Sequence, residues 1–346
     1  MKILIIGPSW IGDMMISQSL YRTLKNKYPD ALIDVMTVTW CKELLIRMSE
    51  INKILLMPLG HNILNIKKRW NIGYSLRSNK YDRSYILPNS FKSALIPFFA
   101  NIPKRIGWRG EMRYGLINDI RILNKIAFPL MIHRYCALSY NKIDVKCSED
   151  IPKPLLLPKI KVTKEEIAKI INIFNINTNK PIIGFCPGSE FGPAKCWPYY
   201  HYVTLAEILI KKGYQIILLG SIKDNLTGNK IYINIKKNMQ YFCLNLIGKT
   251  RLEEAIIIIA YCKIIISNDS GLMHIAAALQ KPLIALYGPS SPQFTPPLSH
   301  NAKIIRLIKG YQKIRKGNQN YGYHQSMINI HPQQVLEILI PLLTII

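Results

Sequence analysis

Ile264 to Gly288 reads IIISNDSGLMHIAAALQKPLIALYG, and the order of residue types in it decides the fold. Ile264–Ile266 is an apolar β-branched run, and Asn268-Asp269-Ser270-Gly271 has turn and N-cap chemistry. Leu272–Leu279 is rich in helix formers, and Leu283–Tyr287 is a second buried strand. Strand, polar turn, helix, strand is the repeating unit of a parallel α/β sheet, whose ligands bind where strands end and helices begin. Asp269, Ser270 and Gly271 therefore sit where backbone N–H groups and the positive helix end can hold a phosphate. A plain N-cap with no ligand is the other reading of the same residues.

The same alternation runs through the rest of the chain. Lys2–Gly7 reads as a buried strand and Asp13–Tyr28 as a helix, with Ile16, Leu20, Leu24 and Tyr28 recurring every four residues. Gly7 and Gly12 between them match the glycines of a Walker A loop, but Asp13-Met14 stands where Lys-Ser or Lys-Thr is required. A carboxylate there would repel a triphosphate, and G-x-G-x-x-G is absent as well. What remains is a glycine-flexed loop presenting Asp13, either as an N-cap or as a general base for a hydroxyl.

Ala31–Val38, Lys53–Met57 and Tyr85–Pro88 read as further strands of this first Rossmann-like half. Two basic stretches fall within it, Lys67-Lys68-Arg69-Trp70 and the run from Arg105 through Arg109 to Arg113-Tyr114. Each is either a solvated loop or part of a groove for an anionic acceptor, with Asn89 and Ser90 adding polar contacts from a strand end.

Asp150–Val162 carries three prolines and reads as an inter-domain linker, and Thr163-x-x-Glu166 then opens a helix with a capping box. The expected organisation is a first domain over 1–162, a second over 163–330, and a C-terminal helix within 331–346 that packs back on the body. In the second domain the strand Pro181–Cys186 runs into a loop with Gly188, Ser189 and Lys195, parts suited to a diphosphate. Tyr214–Gly220 is a strand followed by Asp224, which either meets ribose hydroxyls or caps a helix. Cys243–Ile247, the helix Leu252–Tyr261 and the opening stretch complete this half.

Composition bounds the rest. A hydrophobic content of 49% with only 19% charged residues fits a globular protein of 346 residues, long enough for two cores. The formal net charge of +26 attracts anions, whether nucleic acid, phospholipid or a phosphorylated saccharide. The 7 cysteines form no C-x-x-C pair, which fits free thiols in a reducing compartment and argues against a zinc site. Met1-Lys2 leads straight into a strand without a signal-peptide cleavage region, and Lys263 interrupts the apolar run Ile256–Ile266. A cytoplasmic protein able to touch a membrane surface is expected.

Six segments carry a sharper resemblance. MKILIIGPSWIGDMM at the start, LPNSFKSALIPFF from Leu87, GWRGEMRYGLIND from Gly107, IGFCPGSEFGPAK from Ile183, NDSGLMHIAAAL from Asn268 and ALYGPSSPQFTPP from Ala285 resemble the lipopolysaccharide heptosyltransferases. The resemblance covers nearly the whole chain and implies a GT-B fold, two Rossmann-like domains facing a crevice. It implies an inverting transfer of L-glycero-D-manno-heptose from ADP-heptose to the first heptose of the lipopolysaccharide inner core, at the cytoplasmic face of the inner membrane. The related enzyme acting on a Kdo–lipid A acceptor shares these features.

By the same resemblance Asp13 is the base and Lys195 supports the departing diphosphate. Asp269, Ser270 and Gly271 match a D-[ST]-G motif at the donor phosphates, with His274 one helical turn on and Asp224 near the ribose. Ser189 joins the donor set, and Lys68, Arg69, Arg105, Arg109 and Arg113 the acceptor set, for an acceptor bearing phosphates and carboxylates. The position after Lys195 is usually basic in these enzymes and is Cys196 here. No metal or cofactor is required, although Mg2+ can ride on the donor diphosphate. No specific nucleic acid partner is expected: the +26 charge comes without a nucleic-acid-binding motif.

Overall fold

The computed structural model describes residues 1–60, 63–317 and 322–344. The chain divides into two compact units, Met1–Pro158 and Lys159–Ile346, and the division falls inside the proline-bearing stretch 150–162.

The first unit holds six parallel strands: β1 (Lys2–Ile6), β2 (Leu32–Thr37), β3 (Lys53–Leu56), β4 (Arg83–Ile86), β5 (Lys104–Trp108) and β6 (Asp119–Arg121). They lie side by side in the order β3-β2-β1-β4-β5-β6. Central β1 is apolar on both faces because helices cover both, as a parallel sheet demands. Its Ile5 pairs with Val35 on one side and Tyr85 on the other.

The second unit repeats the plan with β7 (Ile182–Cys186), β8 (Gln215–Leu218), β9 (Cys243–Asn245), β10 (Ile264–Asn268), β11 (Leu283–Tyr287) and β12 (Ala302–Arg306). Their order is β12-β11-β10-β7-β8-β9, again all parallel. Read from its own first strand, each sheet thus reverses direction once, between β1 and β4 and between β7 and β10. Those are the topological switch points at which such sheets bind ligands.

Three strands escaped the sequence reading. Lys104-Arg-Ile-Gly-Trp108 lacks alternation and looks like a charged loop, β6 has only three residues, and β12 is a half-exposed edge. The final helix runs Pro332–Thr344 and buries Val335, Leu336 and Leu339 in the core of the second unit, beside Trp197, Tyr202 and Leu286. The expected continuation to Ile346 lies outside the described residues. No helix among the described residues is long and apolar enough to cross a membrane.

Candidate active site

In the second unit the site grows from the two strands that flank the switch point. β7 delivers the loop that carries Lys195, and β10 delivers Asp269 at its carboxyl end. Asn268, the last residue of β10, locks the two together. Its Oδ1 accepts from the Trp197 amide at 3.0 Å and from the Tyr202 hydroxyl at 3.2 Å, while its Nδ2 donates to the Pro187 carbonyl at 2.6 Å. Every side-chain atom capable of hydrogen bonding is used, so this residue is structural, where the sequence offered only turn chemistry.

On that frame the Lys195 ammonium meets the Asp269 carboxylate at 2.5 Å, with side chains only 17% and 7% exposed. The helix Gly271–Ala278 starts two residues beyond Asp269, and Ser270, in its cap position, makes no side-chain capping bond. The Asp269 carboxylate, which could have served as an acceptor at this end, is engaged by Lys195. Among the described residues the first turn of backbone N–H groups thus has no side-chain acceptor, beside a half-buried ammonium. This is an arrangement for an anionic group with several oxygens.

His274 lies one turn further on, buried, and its imidazole is lowered to about 4. Burial is the main cause and the Lys195 charge adds to it, against the opposing pull of Asp269. It is therefore a neutral group at physiological pH. Cys196 is also buried, and burial pushes its thiol up to about 12, so the position after Lys195 adds no charge of either sign.

Asp224 makes a local cap: its Oδ2 accepts from the Ser221 amide at 2.9 Å and the Ser221 hydroxyl at 2.8 Å. The carboxylate lies against the loop that carries Lys195, because a Cβ on Gly188 would come within 2.3 Å of it. Ser189 is half-buried on the same loop and accepts, through its carbonyl, from the Gly192 amide. Arg315 was missed by the sequence reading. Its carbonyl accepts from the Ala194 amide, and its guanidinium lies over the Phe191 ring, which Lys195 also covers at 4.9 Å. Lys313, Arg315 and Lys316 in sequence were the available signal.

In the first unit the helix after β1 runs Ile11–Lys27 with Trp10 in the cap position. Asp13 is thus inside the first turn, which removes its reading as an N-cap and leaves a carboxylate at the positive helix end. It faces the buried Tyr135, whose hydroxyl is held protonated by burial and by the Asp13 charge. Trp40, half-exposed, donates from its indole to the Ser9 carbonyl at 2.8 Å and so braces the loop that precedes Asp13.

Of the basic residues expected at the acceptor, Arg69 and Arg113 are buried. Arg113 is 0% exposed and donates to the carbonyls of Pro88 and Trp108, both at 2.6 Å, and to Asn89 Oδ1 at 3.1 Å. Burial lowers it to about 10. Arg69 is likewise buried and donates to the carbonyls of Ile63, Leu64 and Lys92. Arg105 sits in β5 and donates to the carbonyls of Leu116, Ile102 and Gly115. These three arginines hold loops to the sheet through these bonds to backbone carbonyls. Asn89 is tied to Arg113, and Ser90 precedes the helix Phe91–Phe99, whose first amide donates to the Glu111 carboxylate at 2.7 Å. Arg109 and Lys68 remain at the surface, Lys68 reaching the Pro58 carbonyl at 3.3 Å.

Comparison with known proteins follows this geometry closely. The profile of glycosyltransferase family 9 (heptosyltransferase) matches residues 69–324. The chain is 60% identical over 344 residues to lipopolysaccharide heptosyltransferase 2 of Salmonella typhimurium, covering 99% of each. It is 60% identical over 337 residues to the Escherichia coli protein of the same name, covering 97% of each. The solved structure of E. coli ADP-heptose lps heptosyltransferase II superposes with a TM-score of 0.92 at 56% identity, over 99% of both chains. The chain belongs to glycosyltransferase family 9, the heptosyltransferases. It is an enzyme, and its two α/β units have the GT-B fold of that solved relative.

Proposed function

We propose that this chain transfers L-glycero-D-manno-heptose from ADP-heptose to the first heptose of the lipopolysaccharide inner core, with inversion, at the cytoplasmic face of the inner membrane. The relatives' names supply the donor and the acceptor class. The observation that carries the chemistry is Lys195, held by Asp269 beside a helix N-terminus that lacks a side-chain cap.

As the glycosidic bond breaks, negative charge accumulates on the leaving ADP. Fixed amides and a lysine stabilise that charge more strongly than they stabilise the intact donor. Asp13 takes the proton of the attacking hydroxyl, its carboxylate oriented by the first helical turn. Neutral His274 supports the donor end without competing with Lys195 for the phosphates. In this scheme the lysine and the helix end supply the positive charge, so no resident metal is needed, and a magnesium ion carried on the diphosphate is compatible with it. Acceptor recognition falls to Arg109 among the basic residues first considered, since Arg69, Arg105 and Arg113 are bonded to backbone carbonyls of the fold.

The test is ADP release from ADP-heptose with a lipopolysaccharide acceptor ending at one heptose, or at none, for wild type and Asp13→Asn. Release only with the heptose-bearing acceptor, lost by about a hundredfold or more in the variant, is expected. Release with the heptose-free acceptor alone would assign the enzyme to the Kdo–lipid A step, and full activity of Asp13→Asn would remove Asp13 as the base.

A further inference from the structure

The stretch between Glu50 and Asp82 contains no carboxylate, yet it holds Lys53, Lys67, Lys68, Arg69, Arg77 and Lys80. At its centre is the helix Ile66–Ser75. This helix turns Arg69 and Gly73 inward, and Gly73 lies so close to the helix Phe91–Phe99 that a Cβ there would come within 2.5 Å of Phe99. Its outer face carries Ile66, Trp70 and Tyr74, four residues apart and therefore on one stripe. They are 51%, 45% and 54% exposed. The Trp70 and Tyr74 rings stack with centroids 5.3 Å apart, and the Arg77 guanidinium covers Tyr74 at 4.9 Å. Ile63 and Leu64, also exposed, extend the apolar stripe at the helix start, while Lys67 and Lys68 flank it.

An outward stripe of isoleucine, tryptophan and tyrosine flanked by cations, in a stretch of chain without a carboxylate, has the composition of an element that lies in a bilayer interface. Tryptophan and tyrosine settle at headgroup depth, and lysines pair with anionic lipid above them. A protein partner or a second copy would need carboxylates to meet this charge. A second copy of this chain brings the same cations, so the face repels itself. The helix follows β3, so its first turn sits at the carboxyl edge of the sheet, the end that also carries the Asp13 loop.

We propose that the outer face of the helix Ile66–Ser75 docks this enzyme on an anionic phospholipid surface, with Trp70 and Tyr74 inserted and Lys67 and Lys68 on the headgroups. The proposal rests on the reading above, in which the acceptor is anchored in a membrane, and it names the element that brings the first unit to it.

The experiment is co-sedimentation of the full chain with phosphatidylcholine vesicles, with and without phosphatidylglycerol. It is run on wild type, on the triple variant Ile66→Ser/Trp70→Ser/Tyr74→Ser, and on Tyr241→Ser, which removes an exposed tyrosine of the second unit. Transfer to a lipid-embedded acceptor and to a deacylated, water-soluble one is measured alongside. Wild type and Tyr241→Ser are expected to bind the anionic vesicles and not the neutral ones. The triple variant should lose about tenfold or more in vesicle affinity, with reduced transfer only on the embedded acceptor.

Equal binding of triple variant and wild type, no binding by wild type, or equal binding to both vesicle types overturns the proposal. So does a self-association of wild type that the triple variant abolishes. A triple variant that fails on the soluble acceptor as well places these residues in the acceptor site and overturns it too. No transfer by wild type to either acceptor would overturn the reading of the reaction, and the vesicle measurement would still decide the docking face.

Discussion

Two helices begin at the carboxyl edges of two like sheets, and their first turns are treated in opposite ways. At Phe91–Phe99 the protein fills the position itself: Glu111 accepts from the Phe91 amide, and the neighbouring cation, Arg113, is buried on backbone carbonyls. At Gly271–Ala278 the carboxylate of Asp269 turns aside to Lys195, and Ser270 makes no side-chain capping bond. The same three ingredients, a helix end, an acid and a base, therefore build a closed corner in one unit and an open helix end beside a cation in the other. Arginine suits the first task because its planar donors can satisfy several carbonyls at once. Lysine suits the second because one compact charge can be held by a carboxylate and still face a ligand.

If Arg113 is structural, its loss should be the most damaging change to the fold. Arg113→Met is expected to lower the unfolding free energy by about 3–5 kcal/mol, because the carbonyls of Pro88 and Trp108 lose their buried donor. Urea unfolding measures it, and a loss below about 1 kcal/mol would show that the corner is not closed in this sense.

His274 sharpens the contrast from the other unit. Its folded pKa, about 4, lies below the ordinary 6.5 because it is buried. Between those values the unfolded chain binds the proton and the folded chain does not. The stabilising effect of its neutral form is thus complete above about pH 6.5 and is lost as the pH falls toward 4, by up to about 3 kcal/mol. The difference in stability between wild type and His274→Gln should change with pH across that window and be flat above it, again by urea unfolding. A difference independent of pH would place a charged imidazole in the native state.

A smaller effect is expected at the surface. Arg109→Glu should raise the acceptor KM by about three- to tenfold, consistent with an exposed charge pair, and leave the ADP-heptose KM unchanged. Steady-state kinetics with each substrate varied in turn would show whether Arg109 serves the acceptor or nothing.

The central strands were legible because runs such as Ile264–Ile266 and Leu283–Tyr287 are β-branched or bulky, short, and bounded by turn residues. The placement of Lys195, Asp269 and Gly271 at strand ends was legible because strand-end loops have a fixed place in a parallel sheet. The fate of the arginines was not. Whether a guanidinium faces water or a set of carbonyls depends on where Pro88, Trp108 or Leu64 comes to lie, and charge along the sequence carries no such information. For the same reason Lys104–Trp108 passed as a charged loop while forming a strand. Arg315 was overlooked because it reaches Phe191 through tertiary contact alone. Asp13 was placed correctly on the first helix, but its role as a cap could be dismissed only once the helix was seen to begin at Ile11.

The central claim, that the cation at the uncapped helix end holds the donor diphosphate while the first unit's cation holds the fold, has one direct test. Titration calorimetry of ADP into wild type and Lys195→Met should show Kd rising about tenfold or more in the variant, whereas Arg113→Met, where it remains folded, binds ADP as wild type does. An ADP affinity unchanged in Lys195→Met, or weakened equally in folded Arg113→Met, would contradict the account.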